Sequence, residues 1–412
     1  MTDGGAKSRR QLPPWAMGLA IAPMGFYYGF ISAGMGILLR ARGVSVGHIA
    51  AISAIAFQPT SWAFFLCPIL DVRFSKRAYA IFFAAVAAVC LGVATLLTAN
   101  LTAFTIVLTL GCTAIVFFGN AHQGWMPDVI DERHYSHVGA TTNVANLGAA
   151  GAFAALTVFL MRHIAPIYAA ALLSLTIIAP TIMLFFIPLP ARATRGAGEV
   201  FATFFRDLFA VLRRRECIIG LICFLAPTAS FALTNSFSSL GSDFSASEKQ
   251  VTLIATTGVA LVCSLGCLFG IWFCGRFLRR NVYILTGFCS AAVALVLIRA
   301  PHVFAWYAAG VLAYSFFQGI SYTAFSSFCY EIVGPASPLA ATQMALLAAA
   351  ANQPMSYMTA IEGHAHSRFG LNGMLATDAV STLIVGTTVL FALRHTRLGR
   401  APAAEPSATV RR

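Results

Sequence analysis

The chain has 412 residues, of which 58% are hydrophobic and only 10% charged, and its mean hydropathy is +0.79. A soluble domain carries about 25% charged residues to keep its surface hydrated, so this composition excludes a soluble globular protein and requires lipid-facing surface. The net charge of +13 comes from 27 Lys and Arg against 14 Asp and Glu; the basic residues are spread between apolar runs, which fits topology determinants in a bilayer and argues against nucleic acid as a partner.

A helix needs roughly 20 apolar residues to cross the hydrocarbon. Twelve such helices are predicted, at 15–39, 46–70, 78–99, 102–126, 138–161, 164–188, 217–240, 250–273, 282–299, 302–330, 338–360 and 371–393. The unbroken apolar runs lack strict alternation, so helices are expected and a barrel is not. The fold class is all-α integral membrane: an N-tail (1–14), a six-helix bundle (15–188), a central loop (189–216), a second six-helix bundle (217–393) and a C-tail (394–412). The first helix follows Lys7, Arg9 and Arg10 but is too long for a cleaved signal.

Helix one carries Tyr27, Tyr28 and Ser32 among Gly25, Gly29, Gly34 and Gly36, and helix two carries Gln58 and ends at Asp71. A basic loop of Arg73, Lys76 and Arg77 follows. Helix four holds Asn120 and His122 and ends at Asp128. The central loop contains Arg192, Arg195, Arg206, Arg213, Arg214 and Arg215, and its part at 201–212 is amphipathic enough to lie on a membrane surface. Helix seven has Thr228, Ser230, Thr234 and Asn235 after a break at Pro227. Arg276, Arg279 and Arg280 separate helices eight and nine, and helix ten carries Tyr314, Gln318, Tyr322 and, at its end, Glu331. Helix eleven has Asn352, Gln353 and Tyr357. An outer loop with Glu362, His364, His366 and Arg368 is expected to be solvated and to hold no metal. In helix twelve, Asp378 is expected to be the one acid placed well inside a helix.

With the N-terminus in the cytoplasm, 21 Lys and Arg fall on the cytoplasmic side and 6 on the other, which places both termini inside. The 10 Cys lie mostly within apolar runs and form no C-x-x-C, so they read as small buried hydrophobes.

The halves repeat. Asp71-Val-Arg73-Phe74-Ser-Lys76-Arg77 reappears as Cys274-Gly-Arg276-Phe277-Leu-Arg279-Arg280 at an offset of 203 residues, and the same offset carries Asp128 onto Glu331. Parallel repeats of six-helix units are a transporter architecture. Asp71, Arg73, Lys76, Arg77, Asp128, Arg276, Arg279, Arg280 and Glu331 would then act as a gate, pairing in one conformation and parting in another. The plainer reading is that they anchor helix ends among headgroups.

These loops resemble the Gly-x-x-x-Asp-Arg-x-Gly-Arg-Arg signature of the major facilitator superfamily, with Cys67 in place of the Gly and Arg73 one position late. Three stretches are similar to AmpG-type muropeptide permeases and their acetyl-CoA transporter relatives: Gly25-Phe26-Tyr27-Tyr28-Gly29-Phe30, Phe65-Leu66-Cys67-Pro68-Ile69-Leu70-Asp71, and Ala340-Ala341-Thr342-Gln343-Met344-Ala345-Leu346-Leu347. The resemblance implies a proton-coupled importer in a bacterial inner membrane, taking an anhydro-muropeptide. It departs from those permeases in helix four, where Phe118-Gly119-Asn120-Ala121-His122-Gln123-Gly124-Trp125 has no acid. Siderophore importers of the same superfamily are the alternative.

The resemblance places helices one, four, seven and ten around a cavity. Tyr27, Tyr28, Ser32, Gln58, Asn120, His122, Thr228, Thr234, Asn235, Tyr314, Gln318, Tyr322, Asn352 and Tyr357 are the candidate lining. With no Lys or Arg at its centre, such a lining suits an uncharged hydroxylated or amide-rich solute, with Tyr rings stacking on it. Arg40 and Arg42 sit near the outer mouth, facing water or headgroups. Asp378 is the candidate proton carrier, with an aqueous vestibule or a structural hydrogen bond as its other readings; His122 is either a relay group or half of an interhelical hydrogen bond. No acid pairs with a His inside a helix, so an enzyme is not expected, nor a cofactor. The expected partners are a small solute, protons and the bilayer, with the chain working as a monomer.

Overall fold

A computed structural model describes residues 12–71, 74–189, 212–335 and 339–394, together with positions 202, 206, 208–210 and 337. Arg73, most of the central stretch and most of both tails lie outside the described residues. Among the described residues every regular element is helical. That follows from lipid as solvent, where each backbone N–H and C=O must find its partner within the segment.

Helix one (Pro14–Arg40) starts with Pro at its first position, where the missing N–H is no loss. Helix three (Lys76–Leu96) is capped by Ser75, whose hydroxyl accepts from the Ala78 N–H at 3.2 Å, and helix four (Leu101–Asp128) by Asn100, which accepts from the Ala103 N–H at 3.1 Å. Helices five (Tyr135–His163) and six (Pro166–Phe186) complete the first half. Helix eight (Glu248–Arg276) opens with a reciprocal cap between Ser247 and Gln250, helix nine is Arg279–Arg299, and helix ten (Phe304–Val333) stops at Gly334, whose φ of +66° favours glycine.

Helices two and seven are not the continuous spans expected. Helix two is Val46–Phe57, then a short turn Pro59–Trp62 and 3₁₀ turns ending at Asp71, because Pro59 has no N–H to continue the ladder. Helix seven is Arg215–Leu225 followed by a non-helical stretch around Pro227, a 3₁₀ turn Ala232–Ser236 and one short turn Phe237–Leu240. At this break Phe231 takes φ +50°, a left-handed conformation rare for a bulky residue.

The last two helices also differ from expectation. Ala340–Ala392 is helical on both sides of Gly370 (φ 66°, ψ −160°), so helix eleven covers 340–369 and helix twelve 371–392. A β-carbon on Gly373 would lie 2.9 Å from the Ala365 carbonyl oxygen, which shows the chain folding back on itself there. The expected solvated loop is therefore helix, and Glu362 is a buried helical residue, 0% exposed. Asp378 is consequently not the sole acid within a membrane helix.

Eight helical runs among the described residues are long and apolar enough to cross a membrane, and one of them, Ala340–Ala392, contains both helices eleven and twelve. Helices two, seven and ten fall short by that measure for physical reasons: two and seven are broken, and helix ten carries Tyr, Ser and Gln along its length.

Helix one lies directly on helix five, where a β-carbon on Gly29 would meet the Ala150 carbonyl oxygen at 2.1 Å. Helices eight and ten are joined the same way, since a β-carbon on Gly319 would clash with the Cys263 carbonyl oxygen. The two halves meet where Pro59–Asp71 packs on helix eleven and where helix five packs on helices eight and ten. Val46–Phe57, the other end of helix two, packs on helices one and four of its own half. The contact between halves is thus concentrated toward the end that carries the basic loops, here termed the basic end.

Gly124 of helix four touches the opposite half; a β-carbon there would lie 2.7 Å from the Ala341 backbone. A Gly124→Leu substitution should prise this seam apart, at a cost of about 1–3 kcal/mol for overpacking. Cys67, 0% exposed beside the seam, should then react with a water-soluble maleimide at least several times faster than in the parent protein. Unchanged reactivity would mean that the seam does not rest on this contact.

Candidate functional site

The seam is polar. The Asp71 carboxylate, at the end of helix two, accepts from the N–H groups of Ala341 and Thr342 at 3.0 and 3.1 Å and from the Thr342 hydroxyl at 2.9 Å. These N–H groups belong to the first turn of helix eleven, where four donors lack intrahelical partners and the helix dipole favours an anion. Asp71 was expected to pair with basic groups of a neighbouring loop; its hydrogen bonds instead cap a helix of the other half.

Lys76 and Asp128 form an ion pair at 3.3 Å within the first half, and Lys76 also donates to the Gly124 carbonyl at 2.6 Å. In the second half Arg279 and Glu331 pair at 2.9 Å. The offset of 203 residues relates both members of these pairs, so the repeat read from the sequence reappears as one ion-pair geometry in each half. Arg279 does more than its counterpart. It reaches across the seam to the Glu132 carboxylate at 3.3 Å and the Glu132 carbonyl at 2.9 Å, and it lies over the Tyr135 ring at 5.4 Å. Arg279 and Arg280 are buried in the first turn of helix nine, not spread in a solvated loop. Arg280 donates to the Asn281 amide oxygen at 3.1 Å.

Two expected gate residues point elsewhere. Arg77 lies over the rings of Trp125 and Phe185 and donates to the Ile187 carbonyl, which ties helix three to the ends of helices four and six. Arg276 is exposed and lies over Trp272 of its own helix at 4.8 Å.

Farther from the basic end, Asn143 of helix five donates to the Tyr322 carbonyl at 3.1 Å and the Ser326 hydroxyl at 2.9 Å of helix ten. Neither the sequence motifs nor the repeat marks Asn143; an amide in the middle of an apolar helix was its one visible signal. Gln318 donates to the Tyr322 hydroxyl at 3.1 Å just beyond it.

Past this point the polar side chains become exposed. Ser32, Gln58, Asn235, Asn352 and Tyr357 are all exposed, on helices one, two, seven and eleven. Amides on membrane helices do not face lipid without a large cost, so these exposed positions are the candidate lining of a cleft between the halves, on the far side of the seam. Asn235 donates to the Thr359 hydroxyl at 3.0 Å, and the Tyr357 hydroxyl donates to the Leu225 carbonyl at 2.8 Å, which fixes helix eleven to both sides of the helix-seven break. Tyr28 is half-buried with its ring edge-on to Phe57 at 5.5 Å.

Several expected lining residues are turned away from the cleft. Tyr27 is buried and donates to the Leu108 carbonyl at 2.9 Å, facing helix four. His122 is buried, with Nε2 3.0 Å from the Met17 carbonyl oxygen, and joins helix four to helix one. Asn120 donates to the Cys67 sulfur at 3.5 Å. Thr228 is buried and donates to the Cys223 carbonyl at 3.0 Å, and Thr234 is half-buried at the helix-seven break. Their polarity marked them in the sequence, but Tyr27, His122, Asn120 and Thr228 each bond a neighbouring backbone carbonyl or sulfur within their own half.

Tyr314 is also buried, and its hydroxyl donates to Asp378 at 3.4 Å. Asp378 is 1% exposed and Glu362 is 0% exposed, and the two carboxyls interact directly. The structure therefore removes the vestibule reading of Asp378.

Comparison with solved structures finds the same fold in several transporters. FucP, a transporter of the major facilitator superfamily in an outward conformation, matches with a TM-score of 0.71 at 14% identity, over 92% of this chain and 98% of that one. The human organic anion transporter MFSD10 matches with a TM-score of 0.70 at 15% identity, over 93% and 99%. The proton:xylose symporter XylE, bound to 6-bromo-6-deoxy-D-glucose, matches with a TM-score of 0.68 at 13% identity, over 92% and 95%. The fold is that of major facilitator superfamily transporters. No protein-family model and no curated protein matches the sequence. The long apolar helices and this fold make the chain a multi-pass membrane protein.

Replacing Asp71 by Asn removes the charge that caps helix eleven while keeping one acceptor. A loss of one to two kcal/mol would move the balance of conformations about 5–30-fold. A cysteine introduced at Gln58, in the cleft, should then label more slowly from the side opposite the basic end. A labelling rate equal to that of the parent with Asp71 would show that the cap does not hold the seam.

Proposed function

We propose that this protein is a secondary active transporter that moves a medium-sized polar organic solute by alternating access, coupled to protons. The observation that carries the reading is the asymmetry between the two ends of the interface: polar contacts join the halves at the basic end, and exposed amides and hydroxyls lie beyond it. In this reading the state described is open away from the basic loops. Rocking the halves about the middle would break the Asp71 cap and the Arg279–Glu132 contact and open the other side.

The cleft side chains are neutral hydrogen-bonding groups, which suits a solute with many hydroxyls or amides. An anhydro-muropeptide has both, and two of the three stretches similar to muropeptide permeases, Phe65–Asp71 and Ala340–Leu347, include the two faces of the seam. The proton:xylose coupling of one structural neighbour supports a hydroxylated solute moved with protons. In this reading the protein is a monomeric importer of a bacterial inner membrane, its basic loops and both termini in the cytoplasm.

Purified protein in proteoliposomes tests this. A labelled anhydro-muropeptide should accumulate when the exterior is acidified, and accumulation should collapse with a protonophore. Uptake of a ferric siderophore without muropeptide would replace the solute and keep the mechanism. If no solute moves, or if uptake ignores the proton gradient, proton-coupled transport is the wrong reading.

A further inference from the structure

Glu362 and Asp378 stand about eight residues before and after the turn at Gly370, which puts both about 12 Å along their helices from that turn. They are thus level with each other on antiparallel neighbours. Both are withdrawn from solvent, at 0% and 1% exposure. Neither Glu362 oxygen, nor Asp378 Oδ2, has a hydrogen-bond donor within reach among the described residues. The other Asp378 oxygen, Oδ1, receives the Tyr314 hydroxyl at 3.4 Å. Among the described residues no basic side chain is given against the pair. His364, His366 and Arg368 farther along helix eleven are exposed, as is Arg299 at the end of helix nine, and the broken part of helix seven that packs here, 226–240, contains no ionisable acid or base. The groups that act on the pair are Tyr314 and the two carboxyls themselves.

Two carboxylates in contact, without a cation, cannot both remain charged in a dry site. A proton placed between them turns one into a donor and the other into its acceptor, and supplies the missing partner.

We propose that Glu362 and Asp378 together form the proton-binding site of the transport cycle, holding one shared proton, and that Tyr314 relays its presence to the break in helix seven. This rests on the proton-coupled reading given above and names its site.

The relay is structural. The Tyr314 hydroxyl meets both Asp378 and the backbone of Leu233, and its ring lies edge-on between Phe231 and Phe237 at 5.3 and 5.4 Å. Phe231 is the left-handed residue at the break, and Asn235, one turn on, reaches into the cleft. Loss of the shared proton leaves two charges beside the Tyr314 hydroxyl, which strengthens its bond to Asp378 and draws the ring, with the Leu233 backbone it also meets, toward the pair. The stretch between Leu225 and Ala232 lacks the regular helical ladder that would resist that pull. Proton release is thereby linked to the helix that borders the solute.

Glu362→Gln and Asp378→Asn test the pair. With one proton per solute, a gradient of one pH unit drives about tenfold accumulation. Each variant should lose that accumulation, falling to the external concentration, while solute counterflow stays within about twofold of the parent. The double variant should accumulate like either single one, because half of a two-residue site is already inactive. Infrared difference spectra should show a protonated-carboxyl band in the parent that shifts in both single variants, where the remaining acid has lost its carboxylate partner, and is absent from the double variant. Tyr314→Phe should keep the band yet accumulate poorly. Counterflow also reports that each variant is folded; where a variant shows none, the infrared band of Glu362→Asp, which keeps a carboxyl, takes its place. If Glu362→Gln accumulates like the parent and keeps the band unshifted while Asp378→Asn does not, the proton belongs to Asp378 alone and the shared site is wrong, with proton coupling intact. If the parent accumulates nothing under a gradient, the failure lies with proton coupling itself.

Discussion

The cap that Asp71 places on helix eleven is the contact on which the described arrangement depends. A helix N-terminus at the membrane boundary needs its free N–H groups satisfied, and helix eleven satisfies two of them with a carboxylate from the other half. The same carboxylate is thereby committed to a helix that is not its own. Around that exchange the seam assembles from compatible pieces: Gly124 allows the backbones to touch, Arg279 crosses to Glu132, and Asn143 closes the line against helix ten. Apart from the Gly124 packing, these contacts are made of charge or hydrogen bonding, groups that water can satisfy when the seam parts.

The breaks in helices two and seven follow a related logic. Continuous helices would span with every backbone group paired. Pro59 and Pro227 forbid that and leave polar backbone in the membrane, which is tolerated where it faces protein or a wet cavity. Both breaks adjoin the cleft residues Gln58 and Asn235. The helix-seven break is also where buried chemistry comes closest to the cleft, since Tyr314 touches the break on one side and Asp378 on the other.

Much of the organisation was legible in the primary structure because it is periodic. Apolar length set the helix count, and the basic residues and the offset of 203 divided the chain in two. The ion pairs Lys76–Asp128 and Arg279–Glu331 were visible as a repeated spacing before any distance was known. Side-chain direction was not legible. Tyr27 and Tyr28 are adjacent in the chain, yet one faces helix four and the other faces Phe57 of helix two. His122 and Asn120 looked like cavity residues because they are polar, whereas each is spent on a neighbour in its own half.

Composition and pattern alone determined that this chain lives in lipid as two related helical bundles, because hydropathy and charge are summed along the backbone and need no fold to be read. Only the tertiary structure decided which polar groups close the seam, which line the cleft and which are buried together. Glu362 shows why. In sequence it stands among His364, His366 and Arg368 and reads as part of a wet loop, but helix eleven runs past it to a turn at Gly370, and helix twelve returns to set Asp378 at its side. Where a helix turns back, and what then lies opposite, depends on packing between segments, which no local pattern contains.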